Sequence, residues 1–127
     1  MTHPYFGSER PRVLAHRGFV PADSEGIVEN TFAAFAAAHA LGVRYVESDC
    51  HLSADGTVIL FHDSDLSRVA GDPRPIADVG DRELEDLMAD RGGLVTLAQA
   101  LDAFPTLFFN LDVKAESAAE TVGRLVA

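Results

Sequence analysis

Four short motifs contain side chains that could carry out acid–base and phosphate chemistry. In chain order they are His16-Arg17-Gly18, Glu47-x-Asp49, His62-Asp63 and Asp112-x-Lys114. Imidazole titrates near neutral pH, so a histidine can both take and give a proton. Carboxylates bind hard dications, and guanidinium or ammonium groups bind phosphate oxygens. The combination indicates metal-assisted chemistry on a phosphorylated substrate.

The three carboxylates of these motifs are the candidate metal ligands. Glu47 and Asp49 are two apart in a predicted strand and therefore point to the same face. Asp112, at the end of a later strand, could complete an all-oxygen set, which favours Ca²⁺ or Mg²⁺ over zinc. The alternative is a solvated strand end whose two carboxylates pair with Arg44 or Arg68.

His16 and His62 are the candidate acid and base. Hydrolysis of a phosphodiester needs such a pair, because the attacking oxygen loses a proton while the leaving alkoxide gains one. Arg17 offers a planar fork for two phosphate oxygens, and Lys114 offers a point charge for a third. A single histidine at a strand end is often only a hydrogen-bonded structural residue, and a single cation often belongs to a surface ion pair.

Other polar residues near the motifs have structural interpretations. Glu29-Asn30-Thr31 is predicted mainly to cap a helix. Asp63 could orient an imidazole or cap a turn, and His39 and His51 are interpreted as structural or surface residues. The lone Cys50 cannot form an intramolecular disulfide and is predicted to be a small core residue.

The motifs are positioned by an alternation of predicted strands and helices. Strands are predicted at Arg12–His16, Val43–Leu52, Thr57–Phe61 and Thr106–Val113. Helices are predicted from Asn30 to a stop at Gly42, around Arg82–Ala89, at Thr96–Ala103 and at Glu116–Ala127. Thr57–Phe61 should pair back on the preceding strand as a hairpin. The polar stretch Ser64–Gly93 is predicted to cross between strands with one short helix.

Such alternation predicts an α/β fold in which helical crossovers join parallel strands. In these folds ligands bind at the C-terminal ends of the strands, where all four motifs are expected. A closed eight-stranded barrel needs about 250 residues. With 127 residues, the chain would form either part of a barrel or a smaller open sheet.

Composition limits the partners of this chain. Its formal net charge of −10 would repel nucleic acid phosphates, and no basic cluster offsets it. The first dozen residues do not resemble a secretory signal, and no run of 18 apolar residues occurs. The sequence therefore predicts a cytoplasmic protein with no stable membrane insertion and no nucleic acid partner.

Taken in order, the motifs resemble those of the glycerophosphodiester phosphodiesterase family over residues 13 to 114. The matching pieces are HRG (16–18), ENT (29–31), ESD (47–49), DG (55–56), HD-x-x-L-x-R (62–68) and NLDVK (110–114). The resemblance implies a TIM (β/α)₈ barrel, of which residues 1–127 would be the N-terminal part, with about three βα units and a hairpin. It also implies hydrolysis of small glycerophosphodiesters to glycerol 3-phosphate and an alcohol.

The resemblance assigns roles to seven residues. The catalytic acid/base pair would be His16 and His62, the ligands of a Ca²⁺ or Mg²⁺ ion Glu47, Asp49 and Asp112, and the phosphate contacts Arg17 and Lys114. Asp112 stands where many members carry glutamate, so its carboxylate is about one methylene shorter and the ion would bind through a water or sit slightly displaced. Val28 stands where proline is common, which alters the loop but not the chemistry.

Two alternatives remain at this point. One is a related barrel phospholipase acting on phospholipid headgroups, which would need a membrane-facing apolar loop that the sequence does not display. The other is an inactive half-barrel fragment or interaction module. Its open barrel edges would lead to self-association, because unpaired strand edges seek partners.

Overall fold

One long strand, β2 (Tyr45–Leu52), organises the fold. The computed structural model describes residues 14–18, 20, 28–114 and 116–126. The other strands are β1 (Leu14–His16), β3 (Val58–Leu60), β4 (Asp65–Leu66), β5 (Asp72–Pro75) and β6 (Phe108–Val113). The α-helices are α1 (Phe32–Ala40), α2 (Ser67–Ala70), α3 (Asp81–Met88), α4 (Leu97–Ala103) and α5 (Ala119–Val126). Short 3₁₀ turns occupy Ile76–Asp78 and Glu116–Ala118.

Strand β2 pairs in parallel with β1 along one edge and with β6 along the other. Beyond the end of β1, the first edge of β2 is taken by β3, which runs antiparallel to it. The predicted parallel strands and the predicted hairpin are therefore both confirmed. Among the described residues these strands do not close into a barrel.

Helix α1 begins and ends as its sequence predicts. Thr31 is the N-cap, and its side chain accepts a hydrogen bond from the backbone N–H of Ala34. The helix ends at Ala40, two residues before Gly42. Its buried face carries Phe35, which packs edge-on against Phe109 of β6, with ring centroids 5.4 Å apart.

Two hydrophobic clusters lie on opposite sides of β3, because successive side chains of a strand point to opposite faces. Val58 and Leu60 join the cluster formed with α1, α4, α5 and β2. Ile59 and Phe61 join the cluster formed by the segment between β4 and α3. The prediction of one short helix for Ser64–Gly93 was incomplete, since this stretch also contains helix α2 and the small sheet of β4 and β5. The apolar residues of this stretch are too widely spaced in sequence to reveal these elements.

Helix α4 is fixed by a reciprocal cap at its start. The Thr96 hydroxyl accepts from the backbone N–H of Gln99, and the Gln99 side chain accepts from the backbone N–H of Thr96. The predicted last helix begins as the 3₁₀ turn and continues as α5. None of the helices described is long and apolar enough to span a lipid bilayer.

Gly18 allows the turn after β1 to contact helix α1 directly. Its φ is +80°, and a Cβ placed there would lie 2.7 Å from the Cβ of Ala34 and 2.8 Å from its carbonyl carbon. Such contacts force backbone movement. A glycine at this position therefore lets the chain after His16 pack on the first turn of α1.

We expect Gly18→Ala to destabilise the fold more than Gly56→Ala does. Gly56 has a similar φ of +81° but open space around it, so its substitution reports only the cost of the left-handed backbone, about 1–2 kcal/mol. The clash at Gly18 should add about 1–3 kcal/mol. Urea unfolding of both variants measures the difference, and equal losses would contradict the close packing of this turn.

Candidate active site and metal centre

Strand register brings the three candidate metal ligands together. Asp49 of β2 and Asp112 of β6 are direct Cα partners in the parallel ladder, and Glu47 precedes Asp49 by two residues on the same face. One carboxylate oxygen of each of these three residues lies within 4.8 Å of the others. Glu47 is also the Cα partner of His16 on β1. The predicted pair Glu47 and Asp49 does not end its strand, since β2 continues to Leu52 in the hairpin.

The electrostatics of this cluster suit a bound cation. Asp49 is only 1% exposed, and its Oδ1 accepts no hydrogen bond from any residue that the structure describes. Burial, and next the charge of Asp49, raise the pKa of the Glu47 carboxyl above its ordinary value. An unpartnered buried oxygen beside like charges is costly. The all-oxygen donor set of Glu47, Asp49 and Asp112 therefore fits a hard divalent cation.

Two side chains supply positive charge to the cluster. The Lys114 ammonium lies 2.8 Å from Asp112 Oδ2 and 3.7 Å from Asp49 Oδ1, and its hydrogen bond to Asp112, more than its charge, lowers the pKa of that carboxyl. The backbone N–H of Arg17 donates to Glu47 Oε2 at 3.1 Å, and its Nε lies 3.8 Å from Asp49 Oδ2. Both predicted phosphate contacts are thus paired with the candidate metal ligands.

His16 contacts the carboxylate cluster, and His62 lies close enough to Asp112 to contribute, after Lys114, to the lowered pKa of its carboxyl. His16 Nε2 lies 3.6 Å from Glu47 Oε2, and its side chain is 68% exposed. His62 follows β3, and its Nδ1 is 2.8 Å from Asp63 Oδ1. A carboxylate can only accept, so neutral His62 carries its proton on Nδ1 and directs the Nε2 lone pair away from Asp63.

His51 was interpreted from the sequence as structural or surface, and the structure buries it. It is 6% exposed on β2, and its Nε2 lies 3.0 Å from the carbonyl oxygen of His62. Its N–H therefore donates to the backbone of a candidate catalytic residue. His51 follows Glu47 and Asp49 at the same two-residue spacing and therefore lies on the same face of the strand. This spacing was the sequence signal that could have placed His51 beside the site.

Asn30 does more than the helix capping predicted for its motif. It is 3% exposed, donates from its amide to Asp49 Oδ2 at 3.2 Å, and accepts from the Ser48 hydroxyl at 2.8 Å. Arg17 and Asn30 both have φ of +55°, and the Asn30 backbone N–H donates to the Arg17 carbonyl at 2.9 Å. Non-glycine residues adopt this backbone at a cost, and such positions cluster at functional sites.

One alternative from the sequence was that Arg68 pairs with the Glu47 and Asp49 carboxylates, and the structure does not show this pairing. Arg68 instead bridges Glu29 and Asp63, with Nη1 2.6 Å from Glu29 Oε1 and Nε 2.8 Å from Asp63 Oδ2. Neither Glu29 nor Arg68 was a candidate site residue from sequence. Their only sequence signal is their place within the motifs ENT and HD-x-x-L-x-R.

An open cleft of about 520 Å³ adjoins the cluster. Its polar lining residues are His16, Arg17, Glu29 and Arg68. Its apolar lining residues are Val20, Val28 and Val69. A small molecule bound there would meet both charged and apolar side chains beside His16.

Most of this chain is similar in sequence to known proteins. The profile of the Glycerophosphoryl diester phosphodiesterase family matches residues 16–124. Over 108 residues the chain is 33% identical to the probable glycerophosphodiester phosphodiesterase 2 of Mycobacterium tuberculosis, covering 84% of this chain and 40% of that protein. Over 115 residues it is 30% identical to a lysophospholipase D of Homo sapiens, covering 80% of this chain and 35% of that protein.

The fold is similar to one half of a solved enzyme. The structure of an Oleispira antarctica phosphodiesterase in complex with the product sn-glycerol-3-phosphate superposes with a TM-score of 0.75 at 27% identity. The match covers 91% of this chain and 51% of that one. The predicted partial TIM barrel is confirmed, and the chain spans 40% of the Mycobacterium tuberculosis protein and 51% of the Oleispira antarctica chain.

We expect the stability of the protein to depend on the ionisation of Asp63. Hydrogen bonds from Arg68, and next from His62, lower its pKa from 3.8 to about 2. The unfolded chain therefore binds this proton at a higher pH than the folded chain. The resulting stabilisation is present above about pH 4 and is lost as the pH falls through about 2.

Asp63→Asn should remove this part of the acid dependence. Urea midpoints measured between neutral pH and strongly acidic pH would show a shallower decline for the variant than for the unchanged protein. Asp90→Asn, at an exposed position after α3, controls for the loss of one charge. Parallel curves for the Asp63 variant and the unchanged protein would contradict the ion pairing.

Proposed function

Because the chain belongs to the glycerophosphoryl diester phosphodiesterase family, we propose that it supplies the reactive side chains of an enzyme that hydrolyses glycerophosphodiesters to glycerol 3-phosphate and an alcohol. The observation that carries the proposal is the convergence of Glu47, Asp49 and Asp112 within 4.8 Å of one another, beside His16. The glycerol 3-phosphate held by the Oleispira antarctica relative supports this substrate class.

His16 and His62 are the proposed acid/base pair. Hydrolysis requires one group to take a proton from the attacking oxygen and another to give one to the leaving alkoxide. With Asp63 holding Nδ1 of His62, the exchanging atom of His62 is Nε2. The exposed imidazole of His16 borders the open cleft, so it can reach the second oxygen.

Glu47, Asp49 and Asp112 are the proposed ligands of a divalent cation, Ca²⁺ or Mg²⁺. When bound, the ion would polarise a phosphoryl oxygen and offset the negative charge of substrate and carboxylates. Support for it comes from the buried, unpartnered Oδ1 of Asp49. Beside such an ion, the proposed phosphate contacts are the Lys114 ammonium and the Arg17 guanidinium, which Glu29 holds in place at 2.9 Å.

Residues 1–127 are proposed to form the N-terminal part of the catalytic domain. Among the described strands, β1 and β6 each pair with β2 on their inner edge only. Further strands would be needed to complete a barrel and the remaining substrate contacts. Those strands could come from a longer chain or from self-association through the open edges.

A lysophospholipid is the second candidate substrate. The human relative is named a lysophospholipase D, and the phosphodiester bond that it would cleave is of the same type. The specific observation is that Val20, Val28 and Val69 line the cleft that His16 borders. Apolar side chains there could contact a hydrocarbon portion that a deacylated substrate lacks.

The activity test uses the protein as it is naturally expressed. His16→Ala and His62→Ala should each slow the release of glycerol 3-phosphate from glycerophosphocholine by roughly 10²-fold or more, since general acid/base assistance is lost. His39→Ala is the matched control, because His39 borders Arg44 and Thr106 at the opposite end of the strands. Near-normal rates in both active-site variants would refute the mechanism.

The same assay compares the two candidate substrates. Faster turnover of lysophosphatidylcholine than of glycerophosphocholine would favour the lysophospholipid.

The metal test uses thermal unfolding with added Ca²⁺ or Mg²⁺. A cation bound only by the folded state should stabilise it by about 2.7 kcal/mol at a concentration 100 times its dissociation constant, and chelator should reverse the effect. Asp112→Asn should abolish most of this gain. Asp102→Asn, an exposed change on α4, should leave the gain intact. Equal gains in both variants would exclude the three-carboxylate site.

A further inference from the structure

Arg68 joins two acidic residues that belong to separate parts of the site. Its Nε and Nη2 form a fork onto the Asp63 carboxylate, at 2.8 Å and 3.1 Å. Its Nη1 binds Glu29 Oε1 at 2.6 Å. One guanidinium therefore links the loop before α1 to the residue that follows His62.

Each of these acids also contacts a residue with a proposed functional role. Glu29 uses its second oxygen, Oε2, to accept from Arg17 Nη1 at 2.9 Å. Asp63 uses Oδ1 to accept from His62 Nδ1 at 2.8 Å. The result is a continuous chain of charge-assisted hydrogen bonds that runs from Arg17 through Glu29, Arg68 and Asp63 to His62.

We infer that Arg68 is a positioning residue that holds the His62 imidazole, through Asp63, and the Arg17 guanidinium, through Glu29, in one fixed arrangement. The inference rests on the proposed roles of His62 and Arg17. Arg68 itself need not contact the substrate. Its planar fork fixes the orientation of the Asp63 carboxylate, and that carboxylate selects which nitrogen of His62 carries the proton.

The low exposure of Glu29 and Asp63 distinguishes their contacts with Arg68 from a chance surface ion pair. Arg68 is half exposed, but the carboxylates that it binds are only 19% and 24% exposed. Both carboxylates are shared between two donors, so releasing Arg68 would leave each with a single partner. Isolated exposed pairs contribute little, whereas networks with fork geometry restrict the side chains they contain.

The chain provides a matched control in Arg74. Its guanidinium bridges Asp72 at 2.8 Å and Glu83 at 2.6 Å, and its side chain is 42% exposed. Like Arg68, it joins two carboxylates, but among the described residues neither Asp72 nor Glu83 contacts a candidate catalytic residue. Removal of Arg74 therefore costs a comparable ion-pair network without affecting the site.

Nitrogen NMR of the histidine rings in the naturally expressed protein tests the inference, at a pH where His62 is neutral. The unchanged protein should show the proton on Nδ1 of His62. Arg68→Ala should shift the population toward the Nε2–H form, which free imidazole side chains also adopt, and added guanidinium should restore Nδ1–H. Arg68→Lys keeps the charge but lacks the fork, so its Nδ1–H population should lie between those of the unchanged protein and Arg68→Ala. Arg74→Ala should leave the His62 signals unchanged.

An Nδ1–H form that persists unchanged in both Arg68 variants would overturn the inference. This readout needs no substrate turnover, so it stands apart from a failure of the proposed phosphodiesterase activity. Should Arg68→Ala not fold, Arg68→Lys alone gives the readout, and a His62 proton that stays entirely on Nδ1 in that variant would overturn the inference. In the naturally expressed protein, Arg68→Ala should also lower kcat more than it changes KM, by roughly tenfold or more, as misplacement of a catalytic group predicts.

Discussion

The burial of the Asp49 carboxylate is the constraint on which the rest of the site depends. The residue is 1% exposed on the central strand, where an ionised group loses most of its hydration. Asn30 compensates one oxygen by a hydrogen bond of 3.2 Å, and Arg17 lies 3.8 Å from the same oxygen. The other oxygen faces Lys114 at 3.7 Å without a hydrogen bond. A divalent cation would satisfy that oxygen more fully than the lysine does.

Backbone pairing sets the distances in this cluster more than side-chain packing does. Asp49 lies opposite Asp112, and Glu47 opposite His16, in two parallel ladders that share β2. Neighbouring strands are separated by about 4.8 Å, so register alone brings such groups within reach of one ion. A partial barrel can therefore carry an assembled set of carboxylates, provided that its central strand is paired on both edges.

The two hydrophobic clusters support this strand from different directions. The cluster around Phe35, Val46 and Leu97 packs α1 and α4 against the sheet. The cluster around Leu66 and Leu84 packs the irregular segment after β3. That segment also carries Arg68, so its packing determines whether the guanidinium can reach both of its acidic partners. The segment Ser64–Gly93 thus contributes to the orientation of His62, through Arg68 and Asp63.

The sequence by itself determined the main strands, the hairpin, the helix ends and the types of residue available for chemistry, because alternation, capping and turn residues are local signals. It also brought out the ordered motifs that identify the family. Only the tertiary structure decided that Asp49 lies opposite Asp112 and that Asn30 donates a hydrogen bond to the buried Asp49 carboxylate. It also decided that Arg68 joins Glu29 to Asp63. These contacts depend on strand register and on the packing of segments far apart in the chain, and neither leaves a periodic pattern in the sequence.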